Sequence, residues 1–204
     1  MSLTTYAGLI AEIWADLDKD SVTNLAENWI AAAEARFNSE LRVRQMVQRD
    51  TATIADALSV VPTDFLAVRQ MRLNESPYTV LKFLTQEQMA SFRETLPTGA
   101  MSYYTLVGPQ FEYAPTPSTG VSVVLTYYQQ IPALTTSNTS NWLLQFYPLA
   151  YKRAAMVEAA LYYREGDLGT SNEQLLQRQL ELIRLNSREA DAFNLTPVPS
   201  AVAV

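Results

Sequence analysis

The chain has 204 residues, no Cys and no His, and a formal net charge of −6. Without thiols or imidazoles it has no disulfides, thiolate nucleophiles, His-based acid–base devices or zinc sites of the usual ligand types, and its acidity argues against wrapping nucleic acid by phosphate neutralisation. An apolar share of 48% with 18% charged residues reads as a folded chain of one domain, or one domain with a sizeable insertion.

In chain order, Leu3, Tyr6, Ile10, Ile13 and Leu17 repeat three or four apart and predict a first helix over 3–17. Its Glu12 and Asp16, with no basic start, do not read as a signal peptide. A polar connector leads to a second helix over 24–44, with Leu25, Trp29, Ala32, Ala33, Phe37 and Leu41 inward and Asn24–Glu27 as a capping box. The middle changes character. Short strands are expected at 51–54, 58–61, 68–73, 78–84, 102–107, 110–113 and 121–128, with turns at Asn74-Glu75-Ser76-Pro77 and Gly108-Pro109. A short helix over 85–92 is capped by Thr85 with Gln88. Residues 131–138 read as a polar loop.

From Ser140-Asn141-Trp142 the pattern is helical again, over about 143–165. Pro148 requires either a start at Tyr147-Pro148 or a short turn that kinks into the main helix. Gly166 and Gly169 read as its end, and Thr170 and Ser171 as caps of a last helix over 172–191. The expected fold class is therefore α+β: a four-helix bundle from an N-terminal pair (1–50) and a C-terminal pair (139–194), around a central antiparallel β-rich insertion (51–138). An extended, uncharged tail (195–204) follows. No apolar run approaches the roughly 18 residues that would cross a bilayer.

Few constellations carry chemistry. Asp16, Asp18, Asp20 and Glu27 occupy the first, third, fifth and twelfth positions of a calcium-loop spacing, but Ser21 stands where that loop needs Gly. They are the weak metal candidate; the alternative is a solvated acidic loop with helix caps. Arg36, Arg42, Arg44 and Arg49 gather near the end of the second helix, where cations suit the helix C-terminus or could meet an acidic partner surface or passing DNA. There is no glycine-rich phosphate loop and no nucleophile motif, so no catalytic residue and no cofactor is expected. In the tail, Leu195, Thr196, Pro197, Val198, Pro199, Val202 and Val204 form a proline-stiffened apolar segment suited to docking on a partner, the alternative being a disordered end.

Three stretches carry a resemblance. Trp29-Ile30-Ala31-Ala32-Ala33-Glu34-Ala35-Arg36-Phe37, Pro62-Thr63-Asp64-Phe65-Leu66, and Asn141-Trp142-Leu143-Leu144 with Tyr147-Pro148 are, in order and spacing, similar to phage head-to-tail adaptor proteins of the tail tubular protein A type. Tyr103 to Gly108 and Leu125 to Tyr128 resemble that family's β region. The resemblance implies a non-enzymatic virion protein at the head–tail interface, assembled in the host cytoplasm. Its copies would form a ring, generally a dodecamer, under the portal, with a tail or nozzle protein below. DNA would pass through without sequence-specific binding, and no membrane is involved. In related adaptors the C-terminal segment reaches the portal, which makes 195–204 the expected portal-binding residues. Trp29, Pro62, Asp64, Phe65, Asn141, Trp142, Tyr147 and Pro148 are then fold anchors. The rival reading is a calcium-binding or other non-portal connector using residues 16–27.

Overall fold

The structure, a computed structural model, describes residues 3–22, 24–95, 99–117 and 120–192. In chain order its elements are α1 (Tyr6–Leu17), α2 (Leu25–Glu40), β1 (Val47–Ile54), β2 (Leu58–Val60), β3 (Phe65–Leu73), β4 (Lys82–Phe83), α3 (Gln86–Thr95), β5 (Tyr103–Val107), β6 (Gln110–Ala114), β7 (Val121–Gln129), α4 (Trp142–Phe146), α5 (Pro148–Tyr163) and α6 (Gly166–Ala192). The fold is mixed α+β, with six helices and two sheets among the described residues. Two units separate: a helical one from residues 1–45 and 131 onward, and a β-rich one over 46–130.

In the helical unit, Thr5 caps α1 by accepting from the Gly8 N–H at 3.2 Å, and the helix buries Tyr6, Leu9, Ile13, Trp14 and Leu17. The capping box expected at Asn24 does not form. Asn24 sits in the left-handed region (φ 64°) and its side chain makes no cap bond. Nor does α2 reach residue 44, and Ala32, expected inward, is exposed, while Ile30 and Glu34 are buried beside Ala33. Leu41 turns extended, so that Leu41 and Val43 point their side chains into the unit and are fully buried. Both readings of Pro148 meet in the structure: α4 is a short turn, Tyr147 ends it, and Pro148 opens α5 at a position where its missing N–H costs nothing.

The loop 131–141 belongs to the helical unit and is tied to α2. The Ile131 N–H donates to Asn38 Oδ1 at 2.8 Å and the Leu134 N–H to Glu34 Oε1 at 2.8 Å. Helix α5 is the element the others share, since α1, α2, α4 and α6 all pack on it. Its buried residues Ala150, Ala154, Ala155, Ala159 and Ala160 are small enough to let four neighbours approach. The expected stop at Gly166 and Gly169 is instead a start. Arg164 makes the reversal in the left-handed region (φ 60°), donating to Ala160 O and Leu161 O. Gly169 lies inside α6, where an added Cβ would stand 3.4 Å from Ala160 Cβ. Its role is close helix packing.

In the β-rich unit, one sheet has the order β1-β7-β3 and the other β2-β6-β5-β4. The first expected strand extends back to Val47 and pairs with β7 along its whole length, while β2 pairs with β6 in the other sheet. The sheets are not wholly antiparallel as expected. Strand β4 runs parallel to β5 (Lys82 opposite Tyr103) because α3 carries the chain back between them. The predicted cap of α3 is present: the Gln88 N–H donates to Thr85 Oγ1 and the Thr85 N–H to Gln88 Oε1, at 3.3 and 3.0 Å. Side chains of both sheets, among them Ile54, Met71, Phe111, Tyr113, Val123 and Tyr127, form one core.

Candidate functional site

The most ordered polar chemistry lies inside the helical unit. Asn141 caps α4 by accepting from the Leu144 N–H at 2.9 Å. Its amide donates to Pro132 O at 2.8 Å and to the Tyr151 hydroxyl at 2.7 Å. Tyr151 donates onward to Glu34 Oε1 at 3.2 Å. Glu34, Asn141 and Tyr151 are all buried. Burial pushes the Glu34 carboxyl above its ordinary range, and burial beside Glu34 pushes the Tyr151 phenol strongly up. Every heavy-atom donor here is matched to an acceptor, so the group pins three helices and a loop.

The other expected anchors lie in both units. Trp29 is buried against Trp14, Tyr162 and Tyr163, with ring centroids 5.4 to 6.0 Å apart. Tyr147 accepts from Asn186 of α6 at 3.1 Å. Trp142 packs at the start of α4, with its indole N–H buried and unbonded. In the β-rich unit Asp64 accepts from the Tyr127 hydroxyl at 3.0 Å, and burial with this bond pushes that phenol up to about 12. Pro62 O accepts from the Phe65 N–H, and Phe65 meets Phe111 edge to face and Tyr127 at a tilt.

Of the arginines, Arg36 forms a fork with Glu173 (2.7 and 2.5 Å) and also reaches Glu40 at 2.8 Å. Arg42 donates to Asn38 O in the last turn of α2 and to Leu41 O just past it. Arg44 and Arg49 are exposed. The acidic loop is dispersed. Asp16 pairs with Lys152 at 2.8 Å, Asp18 ends α1 in the left-handed region, Asp20 is exposed and Glu27 lies in the first turn of α2. Among the described residues no group of three or more acidic side chains is placed to hold a metal ion. Residues 195–204 lie outside the described residues.

Outside the polar interior the helical unit is apolar in places. Leu161 and Phe146 are 69% and 70% exposed. Leu161 borders an open groove of about 630 Å³ between α5 and α6, whose walls include Val157, Ala160, Gly169 and Gln174. The family model described as SU10 adaptor protein matches residues 4–201. The chain belongs to the SU10 adaptor protein family. It is thus one of the structural adaptor proteins of phages. No curated protein matches the chain.

For an SU10-family adaptor, the arrangement separates two tasks: polar residues hold the helices, and apolar side chains are left on the outside. Sequence reasoning found Asn141 but missed Glu34 and Tyr151 as its partners. A signal existed for Glu34. It lies four residues after Ile30 and three before Phe37, both buried, so a carboxylate there must face the interior and find donors.

Proposed function

We propose that this SU10-family chain is a head-to-tail adaptor. Its copies assemble as a ring, in number a dodecamer, beneath the portal; the ring extends the DNA channel and gives the tail its attachment platform. Its body is the four-helix bundle of α1, α2, α5 and α6, and residues 195–204 reach the portal. Assembly takes place in the host cytoplasm, with a tail or nozzle protein as the second partner. The observation that carries this reading is the family match over residues 4–201, nearly the whole chain. The exposed apolar side chains of the helical unit support it, because surfaces of that kind mark contacts with other proteins. Strength would come from multivalency: single contacts can be weak when many copies bind one ring together.

The test is sedimentation of the purified chain mixed with portal rings from the same particle. Co-sedimentation as a ring complex is expected, and the chain ending at residue 194 should stay folded but fail to join it. Absence of co-sedimentation at every salt concentration overturns portal docking. Unchanged docking of the truncated chain overturns the role of 195–204.

A further inference from the structure

The sheet order β1-β7-β3 leaves two edges, and they differ. Strand β3 has register shifts at Phe65/Ala67 and Val68/Gln70. Its far half is covered, with the Leu81 N–H donating to Met71 O and the Leu73 N–H to Thr79 O. The edges of the other sheet are short, three residues in β2 and two in β4. Strand β1 keeps an unbroken register over eight residues. It contains no proline, and residues 48–53 are all exposed. Of the usual blunting devices it has charges, Arg49 and Asp50, but no proline, bulge or shortness, and a long, regular edge of this kind can template another strand.

The ladder fixes which main-chain groups are free. Met71 and Leu73 turn toward residues 79–81, so Arg72 between them turns toward β7, and Val124 opposite Arg72 turns toward β3. Thr51 lies opposite Val124 on the other side of β7. Thr51 therefore turns its main-chain groups away from the sheet, as do Arg49 and Thr53. Consistent with this, the Thr51 N–H is met by the adjoining Asp50 carboxylate at 2.7 Å. On the face of Asp50, Ala52 and Ile54, a slot of about 60 Å³ opens beside β2, lined also by Val60, Phe111 and Leu125.

We propose that in the free protein residues 195–204 of a second copy pair with β1 as an added antiparallel strand. This segment carries no charge, and its two prolines, Pro197 and Pro199, are two residues apart. Residues two apart in a strand turn their main chain the same way. Both missing N–H groups thus face away from β1 when Thr196, Val198, Ser200 and Val202 face it, the arrangement in which a strand tolerates proline. Opposed residues share a face of the sheet, so Pro197, Pro199 and Ala201 fall on the slot side, where only small side chains fit. The inference concerns the protein before it meets any partner and does not depend on portal docking.

Sedimentation of the full chain without portal tests it, beside the chain ending at 194 and the Thr51→Pro variant. The Thr51 N–H takes no part in the β1–β7 ladder, so proline there removes an outward donor; Thr53→Pro is the second variant on the same side. The full chain is expected to self-associate, and all three altered chains to remain monomeric with unchanged circular dichroism. A synthetic peptide of residues 195–204 should bind the truncated chain, and Thr51→Pro should weaken that binding at least about tenfold. A monomeric full chain, or association indifferent to these changes, overturns the proposal. Association lost only with the proline variants overturns the assignment to 195–204. A monomer whose Arg49, Thr51 and Thr53 amides lose exchange protection on truncation shows pairing within one copy and overturns the second-copy occupant.

Discussion

The two units reach a defined structure by different chemistry. In the β-rich unit the core is aromatic and aliphatic, with Phe65, Tyr104, Phe111, Tyr113 and Tyr127 meeting ring to ring. Register there is fixed by the ladders themselves. The helical unit has an alanine-rich central helix, and flat small-residue contacts leave a helix free to slide or rotate. It holds four of the buried polar residues, Glu34, Asn141, Asn172 and Ser187, whereas Thr105 is the one in the β-rich unit among the described residues. Each of the four bonds across elements or to a neighbouring turn. Where shape does not specify a position, directional bonds do.

The sharpest way to break this comparison is to delete the largest shape element. Phe111→Ala should cost about 3–5 kcal/mol in denaturant unfolding, while Phe111→Leu, which keeps much of the volume, should cost less than half of that. Asn141→Ala should cost about 2–4 kcal/mol, because it strands the Leu144 N–H and the Pro132 carbonyl and removes the amide that donates to the Tyr151 hydroxyl. Asn141→Leu should be no better despite its similar size. If leucine rescues at 141 as it does at 111, the contrast between the units is wrong.

Two carboxylates sharpen the contrast through pH. Glu34 is raised above its unfolded value, so the stability tied to it is complete below the ordinary carboxylate range and is lost as pH rises through its raised value. Glu34→Gln should flatten that loss in a series of melting temperatures. Glu173 is held low by Arg36, so its contribution is present above the ordinary range and disappears as pH falls through the lowered value. The pair is partly exposed, and Glu173→Gln should cost less than about 1 kcal/mol at neutral pH.

Much of this was legible beforehand. The stripe Tyr6, Ile13, Leu17 located α1, and Thr85 with Gln88 located α3, because caps and helical spacing are local signals. Asn141 and Pro148 marked a bend that exists. What escaped notice depends on distant partners. Glycines at 166 and 169 looked like a stop, yet Arg164 makes the turn and Gly169 serves contact with Ala160 from another helix. Asn24 offered a cap that its left-handed backbone does not use. The acidic spacing at 16–27 matched a loop pattern, but Lys152, far along the chain, takes Asp16. At the candidate site, Asn141 was visible as a residue while its bonding to Tyr151 and Glu34 required the fold.

Strand β7 stands between β1 and β3, which do not touch each other in the sheet. On the ribosome, both outer strands emerge long before the one that joins them. Neither has a sheet to enter until residues near 129 have been made. The helical unit has the same delay, since α1 and α2 pack on α5, which follows the whole β-rich unit in sequence. Both units therefore close late and through distant pairings, the class of topology that folds slowly. During that interval β1 and β3 stay unpaired on the growing chain.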